Sequence, residues 1–144
     1  MLLAGTTVGW AWLIKSYVVP YMVVNLWLVL ITHLQHTDVR IPHYRDQEWN
    51  WLKGALCTMD RDYGILNHFH HHIADTHVAH HLFSYMPHYH AEEATEAIKP
   101  LLGEYYLKDT VSPGLQGVAE ALWSSMTYCR IVEDNEQVCW FKDR

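Results

Sequence analysis

The feature that most constrains this chain is a long apolar run near its start. Residues 7–32 read TVGWAWLIKSYVVPYMVVNLWLVLIT, with Lys15 as the one charge. Residues 18–31 alone are fourteen in a row broken only by Pro20 and Asn25. A helix needs about 20 largely apolar residues to cross a bilayer core, and extension back to Val8 makes the run long enough. Trp10, Trp12, Tyr17 and Tyr21 fall where an interfacial aromatic belt would lie, and Lys15 can snorkel. The competing reading is a buried helix of a water-soluble domain. A secretory signal is disfavoured, because no basic leader and no small-residue cleavage site accompany the run. Arg40, Arg45 and Lys53 all follow it, which puts the C-terminal side in the cytoplasm.

The expected architecture is therefore all-α. A membrane helix over about 8–35 carries a transmembrane segment of about 8–32, and a cytosolic helical cap fills 33–144. At 144 residues the chain supports one domain. Its net charge of −6, with only 10 lysines and arginines, excludes a nucleic-acid-binding footprint. Cys57, Cys129 and Cys139 are far apart and lack a CxxC spacing, so neither a disulfide framework nor a zinc site is indicated. The chain begins almost directly with the apolar run, so an upstream segment is expected.

Within the cap, residues 37–46 read as a loop around Pro42. Residues 47–59 read as a helix laying Trp49, Trp51, Leu52 and Leu56 near the membrane surface. A turn at 60–64 then leads into a histidine-rich helical stretch ending before Pro87. AEEATEAIKPLL (91–102) starts acidic and ends near Lys99, as a helix dipole prefers. Ser112 and Pro113 signal the start of a helix carried by 115–128. CRIVEDNEQVCWF (129–141) alternates around a DNE turn and predicts a small C-terminal hairpin.

Nine of the twelve histidines lie between His68 and His90, which makes this region the place to look for chemistry. THVAHH gives His77, His80 and His81, at offsets i, i+3 and i+4 on one helical face. Three imidazoles placed so can converge on one or two metal ions. His36, just past the apolar run, reaches the same site if the cap folds onto the membrane face. Imidazole suits zinc, copper, iron and nickel, so ligand type does not choose the metal. Asp75, with Glu92 or Glu93, can orient ligands from behind. His68, His70 and His72 read as solvated, His43, His88 and His90 as structural, and His71, six residues before His77, stays open.

WLVLITHLQHTD (27–38), PHY (42–44), EWNWLKGALCTMDRDYGILN (48–67), DTHVAHHLF (75–83) and MPHYHAEEATEAIKPLLGEYY (86–106) together resemble the membrane fatty acid desaturases. Within that family the stretch HVAHHLFSYMPHYHAEEATEAIKP looks like the Δ12 acyl-lipid pattern of plants and fungi rather than the ω-3 pattern. The resemblance covers roughly three-quarters of the chain; the extra histidines of NHFHHHIAD (67–75) and the C-terminal tail depart from it. It implies that His77, His80 and His81 are the third histidine box and that His36 is a further iron ligand. His71 matches a histidine common at that place, and with Asp75 it is a candidate supporting residue. His33 is not carried over, because relatives often have tyrosine there.

The resemblance further implies a histidine-ligated pair of irons, O₂ as co-substrate, and cytochrome b5 with its reductase as electron donors. The substrate would be an acyl lipid, an oleoyl chain that loses hydrogens from carbons 12 and 13, at the endoplasmic reticulum membrane with the histidine face cytosolic. Position along an acyl chain has to be set by a shaped tunnel, for which Leu82, Phe83, Ser84, Tyr85 and Met86 are the candidates. The family carries two earlier histidine boxes upstream of this span, where the present chain has no histidine. These 144 residues by themselves are thus expected to form an incomplete, inactive C-terminal fragment. The competing functions are a related oleate hydroxylase or ω-3 desaturase, and a non-catalytic, membrane-anchored metal-binding protein.

Overall fold

A computed structural model of the protein describes residue 6 and residues 9–110, 114–128, 130–132 and 137–143. Cys129, Ser112, Pro113 and the DNE turn at 134–136 lie outside the described residues, as do Thr7 and Val8. The chain divides into two units, Met1–His33 and Leu34–Arg144.

The first unit is built on helix α1, Trp10–His36, whose last turn belongs to the second unit. At 1.5 Å per residue its 27 residues extend about 40 Å, long and apolar enough to cross a membrane. Apolar side chains stand exposed all round it, among them Trp12, Met22, Val24, Leu26, Leu28 and Val29. A helix apolar on every side suits lipid rather than water. Its polar groups turn inward on the backbone: the Asn25 amide donates to the Tyr21 carbonyl (2.7 Å) and the Thr32 hydroxyl to the Leu28 carbonyl (2.8 Å). Ile14–Val18 form a wider π-turn. Pro20 follows it, with no N–H for the Ser16 carbonyl and a ring that crowds that turn, and the widening accommodates both.

The second unit is mainly short helices: α2 (Trp51–Ala55), α3 (Ile65–Phe69), α4 (His77–Leu82), α5 (Ala91–Leu102) and α6 (Gly114–Thr127). Helix α2 is shorter than the sequence indicates. The Asn50 side chain accepts from the Lys53 N–H (2.9 Å) and starts the helix only there, and the helix ends at Ala55, with Leu56 in a turn. The expected histidine-rich helical stretch is also broken. His71 and His72 adopt left-handed φ angles of 53° and 59°, so the helix is interrupted between Phe69, where α3 ends, and His77, where α4 begins. The His72 N–H donates to the Asn67 carbonyl (2.7 Å) and holds the break. Helix α5 has the expected bounds, and α6 lies within a residue of its expected place.

The tail corrects the reading of a simple hairpin. Strand β1 (Pro42–Tyr44), in a stretch read as loop, pairs antiparallel with β3 (Val138–Trp140), placing His43 opposite Cys139. Strand β2 (Arg130–Ile131) pairs instead with β4 (Lys142–Asp143). Cys139 is buried and the Phe141 ring meets His43 edge-on at 5.0 Å, so side-chain burial decides where β3 pairs.

Val78 and Ala79 of α4 and Ile98 of α5 form an apolar core against which Leu56, Leu82, Met86, Leu102 and Tyr106 pack. A second, polar core lies around Arg61, which is 3% exposed. Its guanidinium ion-pairs with Asp109 and with Asp38 (3.2 Å) and reaches the Leu34 carbonyl (3.4 Å). Arg40 adds a two-pronged contact to Asp38, 2.8 Å on each oxygen. Burial alone would raise the Asp38 carboxyl, but the hydrogen bonds from Arg40 and the charges of Arg40 and Arg61 outweigh it and hold it at about 2. Two outcomes are expected in thermal unfolding. Arg61→Ala removes one of the two cations that neutralise Asp38 and Asp109, leaving both to Arg40 alone, and should cost about 3 kcal/mol. Asp38, whose folded value is depressed, stabilises above pH 3.8 and loses that contribution, on the order of 2 kcal/mol, as pH falls toward 2; Asp38→Asn should remove that part of the acid dependence.

Candidate metal centre

Among the described residues, His36, His77 and His81 form one group of three whose ligand nitrogens all lie within 4.8 Å of one another. His36 comes from the last turn of α1, and His77 and His81 from successive turns of one face of α4. Their rings stand edge to face, with centroids 4.8 Å apart for His36–His81 and His77–His81 and 5.2 Å for His36–His77.

Main-chain carbonyls set two of these rings. His36 Nδ1 lies 3.0 Å from the Cys57 carbonyl and His77 Nδ1 lies 3.0 Å from the Ile73 carbonyl. A carbonyl only accepts, so each Nδ1 carries the proton and each Nε2 keeps its lone pair. The two Nε2 atoms face each other at 3.2 Å. Two facing lone pairs repel unless a cation stands with them. Nitrogens bound to one ion at about 2.0–2.1 Å are separated by roughly 3.0–3.4 Å, which is the separation found. Burial pushes His77 down to about 3, with His81 and His36 adding to the shift, and takes His81 down to about 4. Both rings are therefore neutral near pH 7, the form that binds metal. The donor set fits a divalent transition-metal ion.

The other sequence candidates are placed differently. His80 is exposed beside the group, its ring 5.6 Å from His77 and 5.8 Å from His81. The His71 ring rests on His88 at 4.4 Å, and Asp75 accepts from His72 Nδ1 at 3.0 Å. Leu82 and Met86 pack onto the apolar core, whereas Phe83, Ser84 and Tyr85 are exposed. A cavity of about 700 Å³ opens beside α2, lined by Tyr44, Leu52, Leu56, Leu102, Tyr105 and Trp140 among others, and not by residues 82–86. The carbonyls of Cys57 and Ile73 escaped the sequence reading, since every residue carries one and no side-chain signal marks those that matter.

Residues 1–113 match the fatty acid desaturase family. The chain is 55% identical to the omega-6 fatty acid desaturase, endoplasmic reticulum isozyme 1, of Glycine max, over 97% of this chain and 36% of that one. It is 58% identical to the delta(12) fatty acid desaturase of Mortierella alpina, over 89% of this chain and 31% of that one. It is 50% identical to the oleoyl-12-hydroxylase of Ricinus communis, over 94% and 35%. The chain thus spans about a third of the length of these relatives. No solved structure matches it. The likeness first visible in the histidine box and its flanks is one of descent: this chain belongs to the fatty acid desaturase family.

Proposed function

We propose that these residues are the C-terminal portion of a Δ12 acyl-lipid desaturase that converts an oleoyl to a linoleoyl chain with O₂. The observation that carries the reading is the convergence of His36, His77 and His81, whose ligand nitrogens all lie within 4.8 Å of one another. The matches to omega-6 and delta(12) desaturases supply the substrate class.

His36, His77, His80 and His81 are the iron ligands this chain contributes. Bound iron would supply the activation of O₂ for attack on unreactive methylenes. The chain's own residues do the rest. Cys57 and Ile73 point two rings by their carbonyls, and the buried setting of His77 excludes water and keeps its imidazole unprotonated. The Δ12 position would follow from an acyl tunnel involving residues 82–86, with His71 and Asp75 supporting the ligands. α1 would cross the endoplasmic reticulum membrane with the histidines on the cytosolic side, where cytochrome b5 and its reductase deliver electrons. The hydroxylase reading is kept because the Ricinus communis relative is 50% identical over nearly the whole chain.

The test is expression of the full-length protein in a yeast that makes no linoleate, followed by fatty acid analysis. An eighteen-carbon diene unsaturated at carbons 9 and 12 is expected; a 12-hydroxy monoene would replace the desaturase reading with the hydroxylase one. Alanine at His36, His77 or His81 should reduce the diene to background while the protein still accumulates in membranes. The 144-residue chain alone should give none.

A further inference from the structure

Asp60 is a charged residue with no exposed surface, a costly placement unless every oxygen is used. Both are. Oδ1 accepts from the Val78 N–H at 2.8 Å, and Oδ2 accepts from the Tyr106 hydroxyl. Val78 is the second residue of α4, so its N–H has no partner within the helix. Thr76, where a capping side chain would be expected, gives no cap, because its hydroxyl donates to the His72 carbonyl. The cap on the histidine helix therefore comes from a residue 18 positions earlier in the chain.

The backbone of Asp60 is held on both sides. Its N–H donates to the Leu107 carbonyl (3.0 Å), and its carbonyl accepts from the Asp109 N–H (2.8 Å). The Arg61 N–H then donates to the Ala74 carbonyl (2.9 Å), just ahead of α4. The residues immediately before Asp60 hold His36 in turn. Cys57 offers its carbonyl to the His36 ring, while the Met59 N–H (3.2 Å) and the Thr58 hydroxyl (3.1 Å) both donate to the Gln35 carbonyl. One short stretch, residues 57–60, thus touches the turn that carries His36 and the turn that carries His77.

We propose that Asp60 is a positioning residue for the metal centre: by capping α4 from the stretch that grips His36, it sets His77 and His81 at ligand distance from His36. This rests on the metal-binding reading of the triad. Tyr106, packed in the core under α4, fixes the second carboxylate oxygen and so the direction of the first. Without the carboxylate, α4 is free to shift along its axis, and a shift of one ångström is large against a 3.2 Å nitrogen separation.

The experiment uses the purified full-length enzyme with Asp60→Asn, Asp60→Leu and, as a control, Val118→Ala, a buried change in α6. Asparagine retains an oxygen to accept from Val78; leucine fills the space and accepts nothing. The readouts are iron content, Co(II) affinity and the Co(II) ligand-field spectrum, each taken with the thermal midpoint. Asp60→Leu is expected to weaken metal binding about 10- to 100-fold and to alter the cobalt spectrum, Asp60→Asn to stay near wild type, and Val118→Ala to lower the midpoint with metal binding unchanged. Asp60→Leu with a lowered midpoint but wild-type affinity and spectrum would overturn the proposal. If Asp60→Leu does not accumulate, Tyr106→Phe carries the test, with an altered cobalt spectrum expected and an unaltered one overturning the proposal. A wild-type enzyme that takes up neither iron nor cobalt overturns the metal reading, and Asp60's role with it; wild-type uptake with an indifferent Asp60→Leu sinks the Asp60 role alone.

Discussion

A guanidinium that water cannot reach has to be neutralised where it stands, and Arg61 imposes that condition on the second unit. Its partners are Asp38 just past α1, Asp109 beyond α5, and the Leu34 carbonyl inside the last turn of α1. The four positions run from residue 34 to residue 109, about half of the chain, and they hold a buried charge among its partners. Once they are together, the residues on either side of Arg61 have little freedom. Thr58, Met59 and Asp60 lie against the end of α1 on one side and the start of α4 on the other. The histidine triad is downstream of this electrostatic knot: it forms where two helix turns are held by the segment 58–60 that the knot has already fixed.

How much of this was visible in the residues varies by kind. The HxxHH spacing places His77 and His81 one turn apart, and the structure brings both to His36, 41 positions before His77, which its place just past the apolar run and the family likeness had both connected to them. The apolar run before His36 reads directly as a long helix because its composition allows little else. The break at His71 and His72 was not legible, since two histidines in left-handed conformation contradict local preference, and only the tertiary setting selects them. The pairing of β1 with β3 was missed for a related reason. Strands of three residues carry almost no periodic signal, and their partners are almost a hundred residues apart. Asp60 looked like one more acid of a turn; its value comes from burial, which a single sequence does not display.

Three imidazoles from two helix turns converge on one point. The depressed basicity of His77 and His81 suits that arrangement, since a ring that resists protons at neutral pH keeps its lone pair for a metal. Both properties follow from packing rather than from residue identity alone. The exposed His68 and His90 share the side chain but not the setting.

The rings of His36 and His77 are aimed by peptide carbonyls and not by side chains. A carboxylate in that position can be lost in a single codon change; a carbonyl survives any substitution that leaves the backbone in place. Ring orientation in this part of the centre is therefore insulated from mutational drift at residues 57 and 73. A lineage built this way can change the side chains around the two rings while the direction in which their nitrogens point stays inherited.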